Sequence, residues 1–201
     1  MQSIRTVPRV SLREDPERKL SILLAPLITG AKPMTLLRLS RENGMKEYFE
    51  THGERLMEKL GLCAKLFRAD ARGNVYLFYD EKNLARTLED EKSRCILTEC
   101  GYTGFSVEDH LCRLIARSGD SISHESGIFF GIPAEDVRGF CQHKKCLLRG
   151  YFSVYSDVER AEKIFRQYGA SKKLMTLPGV EPSTFKHLFC KETNFANTYS
   201  M

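Results

Sequence analysis

Histidine beside glutamate is the pairing in this chain best suited to proton transfer, and it occurs at His124-Glu125. An imidazole titrates near neutrality, and a carboxylate can orient it, accept its proton or coordinate a cation. Adjacent side chains point to opposite faces of a strand and lie about 100° apart on a helix, so the two need not touch. In one reading His124 transfers a proton, or holds a metal or flat cofactor, and Glu125 is its electrostatic partner or a separate acid. In the other, one of the pair caps or anchors the joint between a helix and a strand. No second histidine stands at the spacing of the two-histidine zinc helix.

Gly127 and Gly131 bracket Ile128-Phe129-Phe130. Glycine at both ends permits close backbone approach, either as the wall of a pocket or within a tightly packed buried strand. Pro133 suits the first turn of a helix continuing through Val137 and Phe140, whose N-terminal amides favour an anion. Asp136 and Arg138 are two residues apart on that helix and do not face each other, so each needs a partner from elsewhere. Lys32, between Gly30 and Pro33, either supplies a cation to a bound anion or is simply solvated. The candidate catalytic pair is therefore His124 and Glu125. The candidate ligand-binding set is Lys32, Gly127, Gly131, Asp136 and Arg138.

Seven cysteines invite a metal test. Cys95 and Cys100 fall on a predicted helix, where a five-residue step separates side chains by about 140°. Cys141, His143 and Cys146 lie where a helix gives way to a loop, so convergence there is open, but unlinked thiols and no metal are the expectation. Cys112 reads as partly buried packing and His110 as a histidine at the edge of the core. Nucleophilic catalysis by Ser/His/Asp or Cys/His has the residue types but no local signature. Tyr151, Phe152 and Tyr155 either stack on a base or flat cofactor or form a partly exposed aromatic pair over a core.

Apolar periodicity gives the elements that must position these groups. Residues 1–18 read as a polar lead-in, followed by the short apolar run Leu20–Leu24. Met34–Leu39 is a strand or a helical turn. Met45–Leu60 is a helix with Met45, Phe49, His52, Leu56 and Leu60 on one face and Gly61 as its stop. Leu62–Arg68 and Asn74–Asp80 form a hairpin inside a sheet, joined by a turn containing Gly73. Helices follow at Glu81–Leu88, Lys92–Glu99 and after the capping box at Ser106. Leu147–Tyr155 reads as a strand, and a second capping box at Ser156 starts a helix that Gly169 ends. A last helix is expected near Ser183–Cys190, then a frayed polar tail over 191–201. The sum is one α+β domain over 19–190, with a mixed or antiparallel sheet, a central hairpin and flanking helices. No glycine-rich phosphate loop follows a strand.

The 201 residues are 42% hydrophobic and 28% charged, which excludes a disordered chain, a collagen-like repeat and a disulfide miniprotein. No apolar run approaches the length that spans a bilayer, so membrane insertion is not expected. The net charge of +5 is interspersed, and its densest points, His143-Lys144-Lys145 with Arg149 and Lys172-Lys173, read as solvated loops. Nucleic acid is therefore not the expected partner. An odd cysteine count without a signal peptide points to reduced thiols and a cytoplasmic setting. The best functional reading is a protein that binds a small molecule or an unknown cofactor, with an enzyme as a variant of that reading and its pocket near the His-Glu segment. The alternative is a protein-interaction or regulatory module in which that segment is structural.

Three stretches together resemble an uncharacterised bacterial domain-of-unknown-function family, DUF3793. The most specific is His124-Glu125-Ser126-Gly127-Ile128-Phe129-Phe130-Gly131-Ile132-Pro133, running on through Glu135-Asp136-Val137 to Gly139-Phe140. Ala25-Pro26-Leu27-Ile28-Thr29-Gly30-Ala31-Lys32 is similar to its Pro-to-Gly-x-Lys segment. Gly150 to Asp157, with Ala161 and Phe165, is similar to its strand-to-helix segment. Order and spacing agree from about residue 20 to residue 168. Ser126 replaces an aliphatic residue, Phe152-Ser153 replaces Trp-Lys and Leu24 replaces a frequent cysteine. The resemblance implies a bacterial cytoplasmic origin and supplies no activity.

Overall fold

The computed structural model describes residues 15–119 and 122–189. Most of the polar lead-in, the 191–201 tail and Cys190 fall outside the described residues. Asp15 and Pro16 already belong to structure: Asp15 accepts from the Glu17 amide and caps α1, Pro16–Leu23. The lead-in is thus shorter than its polarity implies, because an N-cap and a proline at the first turn form a helix start without apolar residues. A second short helix, α2 (Ala25–Ile28), ends at Gly30, whose φ of 76° turns the chain into β1, Met34–Ser40.

The predicted hairpin forms as β2 (Cys63–Asp70) and β3 (Gly73–Tyr79), with a tighter turn than the sequence reading gave it. The antiparallel order is β1-β3-β2, so β3 is central while β2 is an edge. Helix α3 spans Met45–Leu60 as expected, capped by Gly61 at φ 63°. Its buried face holds Gly53, not His52, because only a residue without a side chain fits beneath the Phe49 ring.

Successive residues of β3 feed opposite faces of the sheet. Phe78 joins a core with Leu39, Phe49 and Leu60, beneath α1, α2 and α3. Leu77 joins a second core with Met34, Leu84 and Phe129. That side is covered by α4 (Glu81–Glu89), α5 (Glu91–Glu99), α6 (Val107–Arg117), α7 (Ser126–Phe129) and α8 (Ala134–Cys141). The architecture is α+β: helices on both faces of an antiparallel sheet.

Four further expectations are corrected. The segment bracketed by Gly127 and Gly131 contains one helical turn, α7, not a strand. Leu147–Tyr155 is not one strand but a small hairpin of β4 (Leu148–Arg149) and β5 (Ser153–Val154), because Gly150 lets the chain turn against the Phe165 ring. Helix α9 runs Val158–Thr176, passing through Gly169, and is capped by Asp157, since the Ser156 hydroxyl is engaged elsewhere. Near Ser183 there is only a 3-10 turn, Pro182–Phe185.

Candidate functional site

The His-Glu pair divides, as adjacency allowed. Glu125 is buried, 5% exposed, and accepts from the Arg117 Nε at 2.9 Å and the Tyr102 hydroxyl at 3.2 Å. Burial is the largest influence and works against its charge, but the Arg117 bond and charge, together with further hydrogen bonds to the carboxylate, outweigh it and hold the carboxyl below the usual range. Glu125 therefore fastens α7 to the end of α6 and to Tyr102 behind α5. His124 is exposed and meets the edge of Phe140, ring centroids 4.9 Å apart. The two side chains serve different neighbours.

Asp136 is 1% exposed. Its Oδ1 accepts from the amides of Tyr155 and Ser156 at 2.7 and 2.9 Å, and from the Ser156 hydroxyl at 2.8 Å. It thus ties α8 to the segment that starts α9. Arg138 points away, to Glu99 at 3.1 Å and the Cys95 sulfur at 3.7 Å. Cys112 is exposed and donates to Glu108, not packed as expected, because the apolar stripe of α6 runs through Leu111 and Leu114. The Cys146 thiol donates to the Leu148 carbonyl, and Cys141 and His143 are exposed. Among the described residues no group of three His, Cys, Asp or Glu side chains is placed to share a metal ion.

Lys32 and Gly131 do come together. Gly131 has φ 77°, and a Cβ there would lie 2.6 Å from Cδ of Pro33. Glycine is required both for the turn and for the approach of the Lys32-Pro33 segment. A Cβ on Gly127 would meet Val137 Cγ2 at 2.9 Å, so this glycine seats α7 on α8. The Lys32 amide donates to the Pro26 carbonyl at 2.9 Å, and the Gly30 carbonyl accepts from the Asn83 side chain at 3.1 Å. Buried Thr29 and Ser171 share a 2.7 Å hydrogen bond that pins α2 to α9.

These restraints place the Lys32 ammonium 5.4 Å from the Phe130 ring centre and 5.9 Å from that of Tyr168. Ring faces attract cations, and dry surroundings strengthen the contact. Tyr168 meets Tyr151 edge-on, centroids 5.2 Å apart, and Lys172 Nζ lies 5.1 Å from the Tyr151 ring centre. Among the described residues no carboxylate pairs with Lys32 or Lys172. Burial, with Lys172 as a nearby like charge, pushes the Lys32 amine down to about 8. Burial keeps the Tyr168 hydroxyl protonated.

Sequence reasoning named Lys32 but missed Phe130, Tyr168 and Lys172 as its neighbours. Tyr168 and Lys172 stand four residues apart, the spacing that places side chains on one helix face. That signal was masked by expecting the helix to end at Gly169. Two surface clefts lie elsewhere: one beside Tyr48, His52 and Lys59, the other beside Tyr102, Phe105 and His110.

Fold and site together define an α+β domain whose Gly-x-Lys turn and Gly-Ile-Pro turn meet beside a cluster of two lysines and three aromatic rings. Comparison with protein families then gives its kinship. The model of a protein of unknown function, DUF3793, matches residues 20–186, and the chain belongs to that family. Every residue of that cluster lies within the matched span. No curated protein and no solved structure matches the chain. Among the described residues, no helix is long and apolar enough to cross a membrane.

Proposed function

We propose that this chain binds a small anionic ligand, with a flat portion against the aromatic rings and its charge on Lys32 and Lys172. One observation carries the reading: Lys32 is a half-buried cation faced by two rings and a second cation, with no described carboxylate to balance it. A folded protein places a charge in low dielectric with a partner or loses stability. An anion entering from solution supplies that partner. Tyr151 and Phe130 offer ring faces for a planar group. Gly131 admits the Lys32-Pro33 segment, Gly127 seats α7 on α8, and the His-Glu segment serves the site through Glu125, which fixes α7. No reaction is assigned to the site. A reducing, cytoplasmic setting fits the free thiols of Cys63, Cys95, Cys100, Cys112, Cys141 and Cys146.

The test is thermal unfolding with inorganic phosphate, benzoate and phenyl phosphate. Phenyl phosphate is expected to raise the midpoint most, because it offers both a dianion and a ring. The rise should vanish in Lys32→Met and shrink in Lys172→Met. Equal rises in wild type and Lys32→Met would overturn the assignment. A partner-docking reading has one observation in its favour: Phe105 is fully exposed beside the cleft of Tyr102 and His110. Phe105→Ser leaves anion binding intact if the proposed site is right.

A further inference from the structure

We propose that a second copy of this chain covers the cleft beside Tyr102 and His110, with Phe105 of each copy seated in the cleft of the other around a twofold axis. The cleft has a volume of about 420 Å³ and lies between α4, α5 and the start of α6. Ala85, Leu88, Leu97 and Val107 give it an apolar lining. The rings of Tyr102 and His110 lie nearly parallel, 16° apart, and form one wall. Phe105 stands at the rim, fully exposed.

A large apolar ring left in water forgoes the gain of burial, and such exposure marks contact surfaces. This ring is not carried on a slack loop. The Asp109 carboxylate accepts from the amides of Phe105 and Ser106 at 3.3 and 3.1 Å, and the Asp109 amide donates to the Ser106 hydroxyl at 3.1 Å. A Cβ on Gly104 would lie 2.3 Å from that of Asp109, so only glycine lets the chain run this close to α6. Upstream, the Tyr102 amide donates to the Leu97 carbonyl at 2.9 Å. The backbone on either side of Phe105 is thus tied to α5 and α6. An aromatic side chain presented from a fixed backbone loses less freedom on docking.

Knob and hollow lie side by side on one face, so a single twofold axis seats both knobs in both hollows. An aromatic wall receives an incoming ring edge-on or offset. The charges agree with self-pairing. Glu89 and Arg94 both line the cleft, both are exposed, and neither has an ion-pair partner among the described residues. A face with one unpaired charge of each sign can set its Glu89 against Arg94 of the second copy, twice across the axis. A small molecule filling the cleft would leave Phe105 in water. Lys32, Phe130 and Lys172 do not line this cleft, so it is separate from the anion site.

Sedimentation velocity on the full chain, over a micromolar concentration series, tests the pairing. A reversible monomer–dimer equilibrium is expected. Phe105→Ser should weaken it at least about tenfold, as loss of a central aromatic anchor does. Arg94→Glu should weaken it by setting like charges against each other, and adding Glu89→Arg should restore it to within about threefold of wild type. All three side chains are exposed, so the variants should keep the fold, which circular dichroism checks. Lys32→Met should leave the equilibrium unchanged. A chain that stays monomeric at every concentration overturns the proposal and leaves the cleft to a small molecule or another protein. A dimer indifferent to Phe105→Ser, or a charge swap that does not rescue Arg94→Glu, overturns it as well.

Discussion

At Lys32 the described residues hold a charge that none of their carboxylates neutralises, and that has a measurable consequence. The folded-state value, about 8, lies below the ordinary 10.5, so the cation weakens the ligand-free fold at neutral pH. The penalty fades as pH rises through 8 toward 10.5. Lys32→Met is therefore expected to stabilise the ligand-free protein at pH 7 by roughly 1–3 kcal/mol, with the gain vanishing above about pH 10. Denaturant titration at several pH values checks it; a loss of stability on substitution would mean that an unseen partner balances Lys32. Glu125 behaves in the opposite sense. Its folded value is depressed, so its contribution is complete above the ordinary 4.5 and is lost as pH falls through the lower folded value. Glu125→Ala should cost about 2–3 kcal/mol, through the Arg117 and Tyr102 bonds, and should flatten the acid limb of the stability profile. His124→Ala, at an exposed side chain, should change stability by less than ~1 kcal/mol. A large loss there would show that the Phe140 contact is structural.

Glycines at the level of elements separate close approach from mere flexibility. Gly131→Ala puts a Cβ against Pro33 at φ 77°, and about 1–3 kcal/mol of destabilisation is expected, with weaker anion binding because the Lys32-Pro33 segment is displaced. Gly169 has nothing within 4 Å of its notional Cβ and lies inside α9, so Gly169→Ala should stabilise by about 0.5–1 kcal/mol. Thermal melts of the two variants give opposite signs if the account holds. The same pair explains what was legible in the sequence. Met45–Leu60, the hairpin strands and the Ser106 capping box could be read because local periodicity and caps decide them. Gly169 was misread because a mid-helix glycine resembles a stop, and only packing of Tyr168 and Met175 carries α9 onward. Asp136 was recognised as needing a distant partner, but Tyr155 and Ser156 lie some 20 residues downstream, beyond any local pattern. Lys32 was read as either an anion's cation or a solvated lysine, because its rings and Lys172 come from segments far along the chain, which spacing does not join.

Across the whole molecule, the sheet divides two cores and the lysine–aromatic cluster lies where the second half of the chain returns to the first. Helix α9 crosses back to α2 through Ser171 and Thr29, and α7 reaches the same turn through Gly131 and Pro33. An anion seated between Lys32 and Lys172 would thus bind elements that are distant in sequence, and it should stabilise the domain as one unit. The most direct test of this account is the titration of the Lys32 amine, followed by carbon-13 NMR of its side chain with and without phenyl phosphate. The account predicts a midpoint near 8 in the free protein and a clear rise when the anion binds, because a counter-ion then favours the charged form. An amine that titrates near 10.5 in the free protein, and that the anion does not shift, would contradict it.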